Sequence, residues 1–255
     1  MAKAEKEYIS DFKSLLEKEN SFQRLYKNKI VKQSSYFNNY ASLLLEKGAK
    51  QYLDKIKSNK ERSSKSYLNP SHRGETTQGN LEVKNFQWEV RETIAMYNGQ
   101  KSEAQFKLLD YQTPLKNSNK DNEKGIDLVG TDGKDLYILE YKRFKSSESL
   151  LRSVLECYSY RRLVNAGIKK FAKDFGFPFA DVIPAIIMMK DSNQYKSFIK
   201  QDKDSPIIKL MKVLEVKAFL IELEIPFSED LEMKKILSST RPVSTFGFDI
   251  HEISV

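Results

Sequence analysis

The apolar residues near the N-terminus recur every three or four positions, which is the spacing of amphipathic helices. One such stripe covers residues 4–31 and is interrupted near Asn20, and a second covers 36–44 and stops at Gly48. A short third helix is predicted directly after that glycine. We therefore predict an N-terminal helical segment at residues 1–57.

The chain loses this pattern over residues 58–85. Between 58 and 80, Tyr67 and Leu68 are the only large apolar residues, and Pro70 and two glycines interrupt the stretch. This composition favours a linker that separates the helical segment from a second unit.

Residues 86–255 form that second predicted unit, in which short apolar runs alternate with helical stripes. The predicted elements are, in chain order, a helix ending at 98–99, a strand at 105–113, two strands on either side of Asp132–Gly133, a helix capped by Ser146 and Ser147, a strand at 182–189, a helix at 193–214 and a strand at 216–225. This order predicts an α/β fold with a mixed sheet flanked by helices. Residues 226–255 contain Pro242 and Gly247, and we expect irregular structure there.

Asp132–Gly133 lies between two apolar runs, which is a strong signal for a β-hairpin. With these two residues as the turn, the predicted cross-strand pairs are Thr131 with Lys134, Val129 with Leu136, and Asp127 with Ile138. Opposed residues share a face of the sheet, and so do residues two apart along a strand, so Asp127, Glu140 and Lys142 project from one face. Asp127 and Glu140 become diagonal neighbours roughly 7–8 Å apart, close enough to share an ion.

Both faces of this hairpin are rich in apolar residues, which indicates a buried, central position in the sheet. Two acids and a lysine at the end of such a strand are costly to desolvate unless they bind a cation or pair with one another. Oxygen ligands without histidine or cysteine suit Mg²⁺, and Mn²⁺ is expected to substitute for it. Asp127, Glu140 and Lys142 are therefore a candidate metal-dependent site, with a strand-end ion pair as the structural alternative.

The counts of cysteine and histidine limit which metal sites and disulfides the chain can form. Cys157 is the only cysteine, and His72 and His251 are the only histidines. An internal disulfide is excluded, and a zinc site built from cysteine or histidine is disfavoured. No run approaches the roughly 18 apolar residues of a membrane span, and the polar N-terminus lacks the apolar stretch of a secretory signal. We expect a cytoplasmic protein without a membrane partner.

The net charge is +8, and most of it lies in the N-terminal quarter. Residues 1–65 hold 15 Lys and Arg against 8 Asp and Glu, a net of +7, and the rest of the chain carries +1. A basic segment suits a polyanion, because each phosphate contact releases counterions. Nucleic acid is therefore the expected partner, although lysines that only solvate helix faces would give the same count.

Asp127 followed, after a hairpin, by Glu140-Tyr141-Lys142 resembles the PD-(D/E)xK nuclease superfamily with its restriction-endonuclease-like core. Gly125-Ile126-Asp127 stands where the first half of the motif has Pro-Asp, and the predicted element order matches over residues 86–224. The resemblance implies hydrolysis of nucleic-acid phosphodiester bonds, with DNA a more frequent substrate than RNA. It also implies that Asp127, Glu140 and the backbone carbonyl of Tyr141 bind Mg²⁺, and that Lys142 positions or activates the attacking water.

Further residues are candidates for supporting this site. In the same superfamily a glutamate on the first core helix commonly completes the metal shell, which implies a role for Glu92 or Glu89. Glu156-Cys157-Tyr158-Ser159-Tyr160 resembles the Gln-x-x-x-Tyr element of the RecB-like branch, with Glu in place of Gln. For Glu156 the alternative is ordinary pairing with Arg152 or Tyr160.

Two other functions fit the sequence. A protein of the same fold could bind nucleic acid without cutting it, or residues 1–57 could dock a protein partner as a helical interaction module. A homodimer is compatible with the sequence. Glu-x-Lys alone is a weak signal, because it recurs at Glu215-Val216-Lys217 and Glu232-Met233-Lys234, where no Asp-bearing hairpin precedes it.

Overall fold

A six-stranded sheet forms the centre of the structure, a computed structural model that describes residues 2–32, 34–58, 66–68, 88–100, 103–115, 125–223 and 248–255. Its strands are β1 (Lys107–Thr113), β2 (Ile126–Thr131), β3 (Leu136–Tyr141), β4 (Val182–Met189), β5 (Lys217–Leu223) and β6 (Phe248–Ile253). Its α-helices are α1 (Ala2–Glu17), α2 (Lys29–Lys32), α3 (Phe37–Glu46), α4 (Ala49–Leu53), α5 (Trp88–Gly99), α6 (Leu150–Leu163), α7 (Ile168–Asp174), α8 (Asn193–Phe198) and α9 (Pro206–Leu214). Shorter 3-10 helices span Ser21–Lys27, Ser34–Tyr36 and Asn165–Gly167. No helix in these ranges is long and apolar enough to cross a lipid bilayer.

The strands lie side by side in the order β1-β2-β3-β4-β5-β6. The first three form an antiparallel meander, β3, β4 and β5 run parallel, and β6 is antiparallel to β5. Parallel neighbours need a crossover, and α6 with α7, then α8 with α9, lie in the two connections. The predicted α/β class with a mixed sheet is confirmed.

The sheet separates two buried apolar clusters. One face packs against α6, α9 and the N-terminal helices, and the other packs against α5. Val129 and Ile138 belong to the first cluster, and Leu128 and Leu139 to the second. The central hairpin is therefore buried on both faces, as the apolar pattern predicted.

The turn between β2 and β3 contains four residues rather than the predicted two. The observed pairs are Leu128 with Leu139, Val129 with Ile138, Gly130 with Tyr137 and Thr131 with Leu136. The predicted pairs were therefore wrong by two residues. A shift of two residues preserves the faces of the sheet, so Asp127 and Glu140 still share a face. In the observed register they come opposite each other, not diagonal.

Side chains within the turn account for its extra length. Asp132 Oδ1 accepts hydrogen bonds from the backbone N–H groups of Lys134 at 2.9 Å and Asp135 at 2.8 Å. The hydroxyl of Thr131 donates to the carbonyl of Asp135 at 2.8 Å. Gly133 takes the left-handed conformation with φ of 90°. These bonds close the four-residue turn.

Three helices differ from the sequence prediction. The helix predicted at 193–214 is two helices, because Pro206 lacks a backbone N–H and begins α9. The cap of α6 is Ser149, whose hydroxyl accepts from the N–H of Arg152, instead of Ser146 or Ser147. Ser149 directly precedes the first helical residue, where a cap must lie. Helix α7 was not predicted.

The expectation of irregular structure over residues 226–255 was wrong for β6. This strand pairs with β5 along its whole length, from Phe248 opposite Leu223 to Ile253 opposite Ala218. Phe248 is buried while the following residues are more exposed, as expected for an edge strand. Pro242 and Gly247 lie outside the described residues.

The N-terminal helices pack directly against the helices of the sheet. The predicted interruption near Asn20 is confirmed, since α1 ends at Glu17 and Asn20, with a left-handed φ of 59°, precedes the 3-10 helix Ser21–Lys27. Helices α3 and α4 contact α9, and α2 contacts α6. The backbone N–H of Ser149 donates to the carbonyl of Lys32 at 3.1 Å. The start of α6 is therefore held by the N-terminal segment.

Tyr67, within the predicted linker, packs against helix α7. Tyr67 is buried, its ring centroid lies 5.1 Å from that of Phe171, and its backbone N–H donates to Asp174 Oδ2 at 2.9 Å. Most of residues 58–85 lie outside the described part of the chain, so the boundaries of the linker stay a prediction.

Candidate functional site

The ammonium of Lys142 lies within a cluster of acidic side chains just beyond β3. Its Nζ donates to Glu140 Oε1 and, at 3.1 Å, to Glu156 Oε2. It also lies 3.5 Å from Glu148 Oε2 and 3.7 Å from Glu89 Oε1. Burial would lower the pKa of this amine, but the carboxylates, Glu140 foremost, raise it well above its usual range. Lys142 is therefore a buried cation.

Asp127 and Glu140 approach each other from the neighbouring strands β2 and β3. Asp127 Oδ2 accepts from the backbone N–H of Tyr141 at 3.1 Å, and its Oδ1 accepts from Gln112 Nε2 at 3.2 Å. Burial raises the pKa of Asp127 to about 6, against the opposing effect of Lys142. Burial and then the charge of Asp127 raise the pKa of Glu140 well above its usual range. Two such carboxylates lack enough counter-charge to be stable as a pair of anions.

Glu156 joins α6 to this cluster. Its Oε2 lies 3.4 Å from Nε of Arg152, and its Oε1 accepts from the hydroxyl of Tyr160 at 2.9 Å. Arg152 also pairs with Glu148. Burial would raise the pKa of Glu156, but Lys142 and the neighbouring donors lower it to about 2. Glu156 thus contacts Lys142 in addition to Arg152 and Tyr160.

The two glutamates predicted from α5 lie in different surroundings. Glu89 is the one within 3.7 Å of the Lys142 ammonium, and about a quarter of its side chain, 24%, is exposed. Glu92 is buried and accepts a hydrogen bond from the hydroxyl of Tyr141 at 2.7 Å. Burial raises the pKa of Glu92 to about 7, although the Tyr141 hydrogen bond acts in the opposite direction. The structure therefore brings Glu89 against Lys142 and Glu92 against a tyrosine hydroxyl.

Sequence reasoning did not single out Gln112, Glu148 or Arg152 as site residues. Glu148, Arg152 and Glu156 recur every four residues, a spacing typical of ion pairs along a helix, and this signal could have identified the first two. Gln112 gave no comparable signal, because its contact with Asp127 depends on the conformation of the β1 backbone.

The side chains around Lys142 meet some of the requirements of a metal site and not others. Within the described ranges, no group of three or more His, Cys, Asp or Glu side chains is already arranged as a metal site. The ammonium of Lys142 instead lies among the carboxylates. However, Oε2 of Glu140 is buried and has no hydrogen-bond partner in this part of the chain. Together with Asp127 it supplies the hard oxygen donors that Mg²⁺ and Mn²⁺ prefer.

A cleft of about 760 Å³ lies at the opposite end of the sheet. Val182 at the start of β4 and Lys217 at the start of β5 line it, together with Arg161 from the last turn of α6. Because β3 and β4 are parallel, the start of β4 is remote from Lys142, which follows the end of β3. None of the candidate site residues lines this cleft.

No protein-family model matches this chain, and the searches of curated proteins and of solved structures found no match to it. Its function must be inferred from its own residues and their arrangement.

Proposed function

We propose that this protein is a Mg²⁺-dependent nuclease that hydrolyses nucleic-acid phosphodiester bonds. Its active site would comprise Asp127, Glu140 and Lys142, on a sheet of the restriction-endonuclease-like type. The Asp, Glu-x-Lys motif and its resemblance to the PD-(D/E)xK superfamily support this reaction and favour DNA over RNA. Mn²⁺ would substitute for Mg²⁺.

The observation that carries the proposal is Oε2 of Glu140, which is buried beside Asp127 and has no hydrogen-bond partner among the described residues. A buried carboxylate oxygen without a partner costs free energy that a bound cation would offset. Asp127, Glu140 and Glu156 are all buried, and in the described part of the chain the buried cations beside them are Lys142 and Arg152. With Glu89 and Glu148 at the edge, negative charge is in excess.

Each residue has a distinct role in this proposal. Asp127 and Glu140 would hold the ion, with the carbonyl of Tyr141 as a further ligand. The bound ion would stabilise the charge that develops on the phosphate and lower the pKa of its water. Lys142 would exchange its contact with Glu140 for one with the water or a phosphate oxygen, while Glu156 keeps it nearby. Because its pKa is raised, Lys142 would donate hydrogen bonds and not take up a proton.

The test pairs metal binding with cleavage. Asp127→Asn and Glu140→Gln remove one anionic ligand at nearly constant volume, so Mn²⁺ affinity in calorimetry and DNA cleavage should both be lost. Glu252→Gln is the matched control, since this residue makes an exposed ion pair with Lys217 on β5, remote from the site. Linear, circular and single-stranded DNA and RNA, each with Mg²⁺ or EDTA, should be compared. If both site variants cut as well as the wild type, this site is not the active site.

A structural ion cluster is the second candidate, and the contacts of Lys142 with four glutamates favour it. In that case wild-type protein would neither bind Mn²⁺ nor cut any of these substrates. Binding of nucleic acid without cleavage would instead identify a catalytically silent nucleic-acid-binding protein.

A further inference from the structure

Gln112, near the end of β1, has a backbone conformation that residues other than glycine rarely adopt. Its φ is 46°, in the left-handed region, although it lies within a strand. Residues held in this region persist where the surrounding structure enforces them, and they concentrate at functional sites.

Neighbouring residues enforce this conformation. Asp110 and Thr113 are buried, and the hydroxyl of Thr113 donates to Asp110 Oδ2 at 2.7 Å, across the strained residue. The pairing of β1 with β2 is irregular between Leu108 and Asp110. From Asp110 to Thr113 the pairing with β2 keeps a single register, so the bulge precedes this stretch, and a buried side-chain hydrogen bond links the two ends of the stretch.

Gly125, just before β2, allows the end of β1 to come close. A Cβ atom on Gly125 would lie 2.7 Å from the carbonyl oxygen of Thr113 and 2.8 Å from the carbonyl carbon and oxygen of Gln112. Those are backbone atoms, which cannot move aside as the tip of a flexible side chain would. A proline or any other residue with a Cβ at position 125 would push β1 away. Glycine at this position is thus required by the close approach of the Gln112 and Thr113 backbone carbonyls.

The result of this approach is a hydrogen bond to the candidate site. Nε2 of Gln112 donates to Oδ1 of Asp127 at 3.2 Å, while the N–H of Tyr141 donates to Oδ2 at 3.1 Å. Each oxygen of Asp127 therefore has one N–H donor that fixes its orientation. Lone pairs on both oxygens remain for another partner.

We propose that Gln112 is a positioning residue that holds the Asp127 carboxylate in the orientation needed for metal binding, and that Gly125 is glycine to admit it. This inference rests on the proposed nuclease function. Hydrogen-bond donors to a ligating carboxylate fix its geometry, and their removal commonly weakens metal binding roughly 10–100-fold.

Two substitutions distinguish the effect of the Gln112 side-chain amide from the effect of its strained backbone. Gln112→Met keeps the side-chain length and the strained backbone but removes the amide. Gln112→Gly removes the amide and adopts a left-handed φ without strain. Glu215→Gly is the matched control, because Glu215 also has a left-handed φ, 56°, but lies at the end of α9, remote from the site.

Mn²⁺ affinity of the full chain should be measured by calorimetry, together with the melting temperature. We expect both Gln112 variants to bind Mn²⁺ at least about tenfold more weakly than wild type. Gln112→Gly should melt at a higher temperature than Gln112→Met, and Glu215→Gly should bind Mn²⁺ like wild type. Wild-type affinity in either Gln112 variant would overturn the positioning role while leaving the nuclease proposal intact. Failure of the wild type itself to bind Mn²⁺ would overturn both.

Discussion

Nζ of Lys142 lies 3.1 Å from Oε2 of Glu156, which joins the end of β3 to the middle of α6. Glu156 shares this ammonium with Glu140, since Nζ donates to both carboxylates. When Glu140 binds an ion, Glu156 can keep the ammonium close to the site. The contact between Lys142 and Glu156 would also form in a purely structural ion cluster. A nuclease site and a structural cluster therefore have to be distinguished by their response to metal.

The first prediction concerns Lys142→Met. Removal of the ammonium leaves several buried carboxylates without a partner, so the metal-free variant should be destabilised by roughly 3–5 kcal/mol. Under the nuclease proposal the variant should still bind Mg²⁺ and should be stabilised by it more than wild type is, yet it should not cut DNA. Chemical denaturation with and without Mg²⁺, beside a cleavage assay, measures this.

A structural ion cluster predicts another pattern for the same variant. Lys142→Met would be destabilised to a similar degree, and Mg²⁺ would restore nothing. Lys134→Met serves as a control for the lysine-to-methionine change, because Lys134 lies in the exposed β2–β3 turn.

The second prediction concerns Glu156→Gln, which removes the charge and keeps an acceptor for Tyr160. Because the folded pKa of Glu156 is lowered from 4.5 to about 2, its ionised form contributes stability above pH 4.5, and this contribution is lost as the pH falls towards 2. The variant should be less stable than wild type at pH 7, and the difference should shrink between about pH 4.5 and 2. A difference that stays constant over this range would show that the charge of Glu156 does not matter.

The hairpin shows how much of the candidate site could be predicted from the sequence. The apolar pattern and the Asp-Gly turn signal placed Asp127 and Glu140 on one face, although the turn was two residues longer than expected. Both side chains stayed on the predicted face because side chains alternate between the two faces of a strand, so a shift of two residues changes no face. A turn longer by a single residue would have separated them.

Other features of the site could not be predicted, because they depend on contacts between distant segments. The resemblance names Glu89 as a candidate, and the four-residue spacing could have identified Glu148, but no local pattern indicates that both converge on the Lys142 ammonium. The left-handed backbone of Gln112 and its close approach to Gly125 are not indicated by any sequence pattern. β6 was missed because its polar alternation supports a strand only when β5 is beside it.

The third prediction uses the buried Glu92. Its folded pKa is raised from 4.5 to about 7, so the folded state favours the protonated form, and stability is lost as the pH rises from 4.5 through 7. Glu92→Gln cannot ionise, so its stability relative to wild type should increase by about 3 kcal/mol over this range. Denaturation of both proteins without metal, from pH 4 to 8, measures the difference.

Tyr141→Phe extends the same test. The Tyr141 hydroxyl lowers the pKa of Glu92 by hydrogen bonding to its carboxylate. Without this hydroxyl, the loss of stability should be larger and should continue to higher pH. If Glu92→Gln and wild type show the same pH profile, Glu92 is not a buried titrating group.

The last prediction concerns how the basic N-terminal segment contributes to binding. Deletion of residues 1–57 is a poor test, because it would uncover α6 and α9 and disturb the core they share. Lys29 and Lys32 are better choices: both are exposed on α2, and the carbonyl of Lys32 accepts from Ser149, next to Glu148 at the candidate site. If both contact phosphates, the double Lys→Gln variant should bind DNA more weakly, and the magnitude of its log–log salt slope should fall by about two.

Two exposed lysines of α9, Lys209 and Lys212, provide the matched control. Lys212 lines the cleft at the end of the sheet opposite to Lys142, so DNA held at the candidate site should not reach it. Changing this pair to glutamine removes the same charge as the Lys29 and Lys32 pair, yet it should leave the salt slope unchanged. Melting temperatures should be equal for both double variants, because all four side chains are exposed. If the two pairs lower affinity equally, the positive charge acts only through the net charge of the protein, and α2 does not contact the DNA.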